Sequence, residues 1–376
     1  MVEQSVQKVT ESKRALSCAC QRGRNMKFIH IADLHLGANP DAGKRYSAHR
    51  AKEIWDTFEK VIQQCEKKQI DLLLIAGDLF HRQPLLRELK EVDYLFQKLT
   101  KTKVVLIAGN HDYMKWDSYY RTFQWSKNVF PLFGDRLQCA EFPELETAVY
   151  GLSYHKREIK ENVYEKAKPW KKQKCEILLA HGGDEKHIPL QKAGLLALGY
   201  DYIALGHIHK PGIVEEDKIL YAGALEPIDK NDTGVHGYVY GVWEQEKMHA
   251  RFIPFAMREY IHMNLPVNKN MTQFETKDLL KQKIQEQGIQ NIYKVILTGF
   301  RGEYTVFDTD DMDPFENVLE VVDETKPAYR FDKLQEENRD NLLGNYIEAL
   351  SGFPKDSIEY MALYEGVEAL LETKRG

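Results

Sequence analysis

The sequence predicts an α/β fold in which two sheets face each other, followed by a smaller α+β module and a helical C-terminal region. Three observations carry this. From Lys27 to about Pro254, short apolar runs alternate with stretches of helical periodicity, the pattern of helices packed on sheets. Several later runs in that span are rich in branched and aromatic residues, as strands are. Near Met257 the pattern changes, and from Asp313 onward it reads as mainly helical.

Taken in order, residues 1–25 carry Lys8, Lys13, Arg14, Arg22 and Arg24 without an apolar stretch of signal-peptide length, so export is not expected. They read either as a flexible extension or as translated upstream sequence with the start at Met26. Met26 opens the first strand. Ile54, Phe58, Val61, Ile62 and Cys65 fall at helical spacing, as do Leu85, Leu89, Val92, Phe96 and Leu99. Each helix precedes a strand, at Leu72–Ala76 and Val104–Ala108. Further strands are expected at Ala148–Leu152, Ile177–Ala180, Tyr202–Leu205 and Gly237–Trp243. An extended Tyr260–Val267, a helical Asp278–Gln287 and a strand at Tyr293–Thr298 make the second module. Apolar stripes at Leu342, Leu343, Tyr346, Ile347 and Leu350, and at Ile358, Met361, Leu363, Val367 and Leu371, make the helical end. The expected division is 1–25 extension, 26–255 catalytic domain, 256–310 α+β module and 311–376 acidic helical region.

At 376 residues the chain exceeds one typical domain. With 43% hydrophobic and 29% charged residues it belongs with globular proteins, not fibrous or disordered ones. Its longest apolar runs fall far short of the roughly 20 residues that span a bilayer, so no membrane association is expected. Cys18, Cys20, Cys65, Cys139 and Cys175 are odd in number and lack Cys-x-x-Cys spacing, which fits a reducing cytoplasm. Cys18 and Cys20 are given no role. The net charge of −5 is uneven: residues 311–376 hold sixteen Asp and Glu against seven Lys and Arg, or −9, which leaves +4 for the rest. Totals show no strongly basic groove, so contact with a nucleic acid would need local patches or a partner.

Five times, a strand-like run ends directly in metal-binding residue types. Ile29, Ile31 and Ala32 lead to Asp33-Leu34-His35, and Leu72–Ala76 leads to Gly77-Asp78-Leu79-Phe80-His81. Val104–Ala108 leads to Gly109-Asn110-His111-Asp112. Ile177–Ala180 leads to His181-Gly182-Gly183, and Tyr202–Leu205 to Gly206-His207-Ile208-His209. Ligand sites in α/β sheets gather outside the carboxyl ends of strands, so the five loops are expected to converge. Asp33 and His35 are two apart, as are His207 and His209, so each pair would point to one side if the strand conformation persisted. Adjacent glycines allow the sharp turns such loops need.

A lone Asp-x-His or Gly-His-x-His is more often a satisfied structural group than a metal site. Five in this order, each at a strand end, favour the metal site. Asp, Asn and His without cysteine suit manganese, iron or zinc, with manganese the first choice. Two such cations would hold both oxygens of an in-line displacement, which is what phosphoester hydrolysis needs.

Asp33-x-His35, Gly77-Asp78, Gly109-Asn110-His111-Asp112, His181 and Gly206-His207-x-His209 resemble the full signature of calcineurin-like metallophosphoesterases. Asp33-Leu34-His35-Leu36-Gly37, Gly77-Asp78-Leu79-Phe80-His81 and Gly223-Ala224-Leu225-Glu226-Pro227 are similar to SbcD-type nucleases and their YhaO-like relatives, over about Met26 to Pro254. Protein phosphatases of the superfamily usually carry Asp-Arg-Gly and Asn-His-Glu, which are absent here. Leu34 stands where SbcD typically has Trp, which moves the resemblance toward the YhaO-like branch. The resemblance implies the sandwich of two mixed β-sheets flanked by helices, with the second module as a cap. It implies two divalent cations, Mn2+ foremost, one held by Asp33, His35, Asp78 and His209 and the other by Asp78, Asn110, His181 and His207, with Asp78 bridging. It has His111 either protonate the leaving oxygen or stabilise the transition state, Asp112 orient the His111 ring, and His81 contact the phosphodiester. The implied partners are DNA, an SMC-like ATPase subunit of the SbcC or YhaN type, and a second copy of the chain.

For His30, His49, His155, His187, His236, His249 and His262 a surface or core role is favoured, although His49 and Arg50 offer themselves as groove residues. Tyr113, Trp116, Tyr119, Tyr120, Phe123 and Trp125 would either stack unpaired bases or pack in the core. The C-terminal stripes would bury against their own domain or a partner helix. The expected function is a manganese-dependent DNA exonuclease, also able to cut internally, acting in DNA repair with the ATPase. The alternatives are a phosphodiesterase for small nucleotides and a catalytically silent binding subunit.

Overall fold

The computed structural model describes residues 25–373. The extension read at the N-terminus, with Cys18 and Cys20, lies almost wholly outside them. The chain divides into two compact units, Met1–Tyr260 and Ile261–Gly376.

In the first unit, β1 (Met26–Ile31), β2 (Leu72–Ala76), β3 (Lys103–Ile107) and β4 (Val129–Pro131) run parallel, and β11 (Gly237–Glu244) and β12 (Lys247–Pro254) extend the sheet antiparallel beyond β1. The second sheet has the order β5 (Gln138–Phe142), β6 (Thr147–Gly151), β7 (Cys175–His181), β8 (Tyr202–Gly206), β10 (Ile219–Tyr221), β9 (Gly212–Glu215), parallel from β6 through β10 with antiparallel edges. These are two mixed sheets flanked by helices, as expected. Alternation of side chains along each strand explains why the central runs are apolar throughout. Phe28, Leu72, Leu74 and Ala76 face Ile177, Leu179 and Ala204 between the sheets. Their neighbours Ile29, Leu73 and Ile75 face Phe58, Val61, Leu89 and Phe96 on α1 (Ser47–Lys68) and α2 (Leu86–Gln97).

Arg50 does not line a groove. It is wholly buried in α1, where it donates to Glu53 at 2.6 Å and the Pro227 carbonyl at 2.7 Å, with Glu226 at 3.7 Å. Glu226 accepts from Thr57 and Met257, both at 2.6 Å, and Arg258 closes on Glu53 at 2.6 Å. The Gly223–Pro227 motif thus anchors a helix through a buried charge network.

In the second unit β13 (Tyr260–Val267), β14 (Ile292–Arg301) and β15 (Val318–Asp323) form a sheet, with β16 (Lys326–Pro327) pairing the far end of β14. Leu280 and Ile284 of α4 (Gln273–Gln287) share a core with Leu265, Val295 and Val318. The helical reading from Asp313 is corrected here. Val318, Val321 and Val322 belong to a strand parallel to β14, favoured by their branched side chains, and the sheet crosses the expected 310/311 boundary. Helices resume at α5 (Phe331–Glu337), α6 (Leu342–Leu350) and α7 (Ile358–Glu372), which bury Leu343, Ile347, Leu363 and Val367 against one another. Among the described residues no helix is long and apolar enough to cross a membrane.

Removing one member of a buried charge network strands its partners, at a typical cost of about 3–5 kcal/mol. Arg50→Ala is therefore expected to lower the unfolding free energy obtained from urea titration by about that amount, and Arg50→Met with Glu226→Gln to recover part of it.

Candidate metal and catalytic site

β1, β2 and β3 of one sheet and β7 and β8 of the other deliver the five loops to one place. Asp33, His35, Asp78 and His181 are buried, and Asn110 nearly so. The period-two expectation for the paired ligands does not hold. β1 ends at Ile31, and Asp33 and His35 both adopt left-handed backbone, with φ of 50° and 48°. Asp78 (50°) and His207 (93°) do the same. Such conformations persist only where the surroundings over-determine them. Here Asp33 N donates to the Gly77 carbonyl and His35 N to that of Asp78, both at 3.1 Å. The His207 amide donates to the Asp33 carboxylate at 2.9 Å. Glycine is required beside them: a Cβ at Gly77 would strike the His181 ring, and one at Gly206 the Ala76 carbonyl.

Outer acceptors fix the ring protons. His181 Nδ1 lies 2.9 Å from the Ala76 carbonyl, His207 Nε2 2.7 Å from Asp184, and His209 Nδ1 3.0 Å from Asp232, so these nitrogens carry hydrogen. Their opposite nitrogens are the ones that face the centre. His181 Nε2 then faces Asn110 Oδ1 at 2.9 Å and Asp78 Oδ2 at 3.5 Å, His207 Nδ1 faces Asn110 Oδ1 at 3.0 Å, and His209 Nε2 faces His35 Nε2 at 3.0 Å. Two carboxylates and an amide oxygen converge with these ring nitrogens on one centre, a donor set that suits a divalent cation. Asp33, His35 and His209 form one group with metal-ligand spacing, and Asp33, Asp78 and His181 another. Asp78 Oδ2 lies between His181 (3.5 Å) and His35 (3.9 Å). The residues present fit divalent metal.

The charges agree. Burial pushes the Asp33 carboxyl up to about 6 although His181 and His209 oppose it. For Asp78 burial acts the same way, but His181 and His35 overcome it and hold the carboxyl well below its usual range. Burial pulls His181 down, yet Asp78 and Asp33 outweigh it and raise it to about 9. His209 reaches about 9 because Asp232 and Asp33 outweigh its burial. His207 falls to about 4 through burial and the nearby His181.

His81 and His111 stack beside this centre, ring centroids 5.2 Å apart, and His111 lies 4.7 Å from His35. The Asp112 assignment is corrected. Its carboxylate accepts from the amides of Phe80 and Gly109 and from the Tyr120 hydroxyl, so it braces the loop, and burial with the nearby Asp78 pushes its pKa up to about 7. The His111 ring is oriented by the His81 carbonyl, 2.9 Å from Nδ1.

Other candidates separate. His30 is buried against the Tyr202 hydroxyl at 3.0 Å, His236 bonds the Ala224 and Asp232 carbonyls, and His49 is exposed. Tyr120 packs inside with Phe123 and Trp125 against it, while Trp116 is 81% exposed. Sequence reasoning missed Asp184 and Asp232. Each sits in a polar turn whose composition says loop and nothing more.

A family model for the calcineurin-like phosphoesterases matches residues 26–211, the span that delivers all five loops. The match covers a calcineurin-like phosphoesterase domain. This phosphoesterase is 27% identical over 272 residues to the DNA double-strand break repair protein Mre11 of Methanocaldococcus jannaschii, covering 67% of this chain and 73% of the relative. It is 28% identical over 313 residues to the uncharacterised metallophosphoesterase YhaO of Bacillus subtilis, covering 74% and 73%. Against Mre11 of Archaeoglobus fulgidus the identity is 26% over 304 residues, covering 72% and 64%. The phosphoesterase is thus a hydrolase of phosphoester bonds, as the sequence predicted.

Outer carboxylates that fix ligand tautomers typically carry 10–100-fold in metal affinity. Asp232→Asn and Asp184→Asn are each expected to weaken divalent-cation binding by about that factor in calorimetric titrations. With His181 and His209 raised to about 9, protons on these rings would compete with a cation held by them below that pH. Affinity should therefore rise as pH is raised from 6 toward 9, and titrations in buffers of different ionisation enthalpy should show proton release at pH 7.

Proposed function

We propose that this phosphoesterase is a manganese-dependent DNA exonuclease, also able to cut internally, acting in DNA repair. The observation that carries the reading is the placement of His81 and His111 against the buried Asp33–Asp78–His181 centre, in a chain similar to proteins named for DNA double-strand break repair. In this reading one cation is held by Asp33, His35, Asp78 and His209 and a second by Asp78, Asn110, His181 and His207. When bound, the two would supply Lewis-acid polarisation of the phosphoryl group and activate water at neutral pH.

The protein's own groups do the rest. His111 Nδ1 is spent on the His81 carbonyl, so Nε2 is the atom that passes a proton to the leaving oxygen. The His111 amide donates to Asp78 Oδ1 at 2.8 Å, which ties this proton donor to the shared carboxylate. His81, half-buried beside His111, contacts the phosphodiester. Burial and the neighbouring His111 hold its pKa down, so it meets the substrate neutral. Asp184 and Asp232 keep His207 and His209 in their tautomers. The reading includes an SMC-like ATPase subunit and a second copy of the chain as partners, as the resemblance implies.

The test is Mn2+-dependent cleavage of end-labelled single- and double-stranded DNA beside a small chromogenic phosphodiester. DNA degradation by the parent is expected, with losses of about 10²- to 10⁴-fold in His111→Ala and no detectable activity in Asp78→Ala. Cleavage of the small diester alone would remove DNA as substrate and leave the small-nucleotide reading.

A further inference from the structure

The segment joining β6 to β7 is the most basic stretch near the site. Between residues 152 and 174 it holds eight Lys and Arg against three Glu, +5 in a chain whose net charge is −5. Many surface lysines of the described residues are paired, such as Lys52 with Asp56, Lys98 with Glu59 and Lys192 with Glu215. Within the segment Lys172 and Lys174 reach Glu141 and Glu146. Lys156, Arg157, Lys160, Lys166 and Lys168 are exposed, and none has a carboxylate within ion-pair distance among the described residues. Glu158, Glu161 and Glu165 are interleaved with these five, which leaves residues 156–168 at +2, a local positive field that attracts a polyanion.

The strap is also fixed beside the catalytic loops. It leaves β6 at the sheet edge where β7 delivers His181, since the two strands are parallel. The Tyr154 amide donates to the Ala108 carbonyl at 3.1 Å, and the Met114 amide to that of Tyr154 at 2.7 Å, bracketing the Asn110–His111 loop. Further along, Ile159 pairs with His187: Ile159 N donates to the Lys186 carbonyl at 3.0 Å and Ile188 N to that of Ile159 at 2.6 Å. That second loop carries Asp184, which holds His207. Lys156, Arg157 and Lys160 are thus within three residues of the point where the strap meets the loop bracing a metal ligand.

We propose that Lys156, Arg157 and Lys160 form the start of a track for the phosphate backbone of a DNA strand running away from the scissile bond, continued by Lys166 and Lys168. This rests on the DNA reading above and adds the surface that holds the polymer. The contact is to phosphates, so it is insensitive to sequence and sensitive to salt.

The experiment is anisotropy titration of a labelled single-stranded DNA with the full chain, in EDTA to prevent cleavage, between 50 and 200 mM salt. It compares the parent, a triple variant Lys156→Ala, Arg157→Ala, Lys160→Ala, and a charge-keeping variant Lys156→Arg, Lys160→Arg. Each phosphate contact contributes about 0.7 to the salt slope for a single strand. The triple variant is expected to bind at least about tenfold more weakly, with the slope reduced by about two, and the charge-keeping variant to match the parent. Equal melting temperatures in all three proteins show that the fold is kept. If the parent binds and cleaves DNA and the triple variant keeps affinity and slope, the track is overturned and the DNA reading stands. If the parent neither binds nor cleaves DNA, both fall.

Discussion

Two buried carboxylates, Asp33 and Asp78, at the ends of adjacent parallel strands, set the terms for the rest of the first unit. Ionised groups at such depth are costly unless paired, and His181, His35 and His209 are the groups that face them. Five strands must end at the same edge to bring the carboxylates, Asn110 and those rings together. Three come from one sheet and two from the other, so neither sheet alone could build the centre. The apolar layer between the sheets holds the two edges in register, and in that sense Phe28, Leu74 and Leu179 serve the site as much as any ligand does.

The site is bought with backbone strain. Asp33, His35, Asp78 and His207 all adopt positive φ without being glycine, each at a cost of order 1–3 kcal/mol. Amide hydrogen bonds between neighbouring loops offset part of this, and glycine at 77 and 206 removes clashes that would make the geometry unreachable. Elsewhere in the same unit, the buried Arg50, Glu53, Glu226 and Arg258 network spends charge on joining α1 to the loop after β10. One set of buried charges is balanced internally; the other is arranged around a place for a cation.

Much of this was legible in the sequence because strand ends and ligand types coincide in it. Asp33, His35, Asp78, Asn110, His111, His181, His207 and His209 are local to the runs that place them. The reasoning that failed was conformational. Two-residue spacing implied extended strand, whereas the ligand loops are left-handed turns that only contacts from other loops stabilise. Asp112 was read from its neighbour His111, but its side chain turns inward to the Phe80 and Gly109 amides. Asp184 and Asp232 touch rings 23 residues away, and no local pattern announces a partner at that separation. The strand at Val318 was hidden for a similar reason: six residues in an acidic, helix-rich stretch acquire strand character only by lying beside β14.

The two outer carboxylates differ in one further respect. Asp232 keeps 11% of its side chain exposed and Asp184 45%, whereas the rings they hold run the other way, His209 at 26% and His207 at 12%. Water reaches the Asp184 carboxylate more readily and competes for the bond that holds His207 in place. The fold therefore holds His207 by a wetter bond than His209, although the two residue types alone look equivalent.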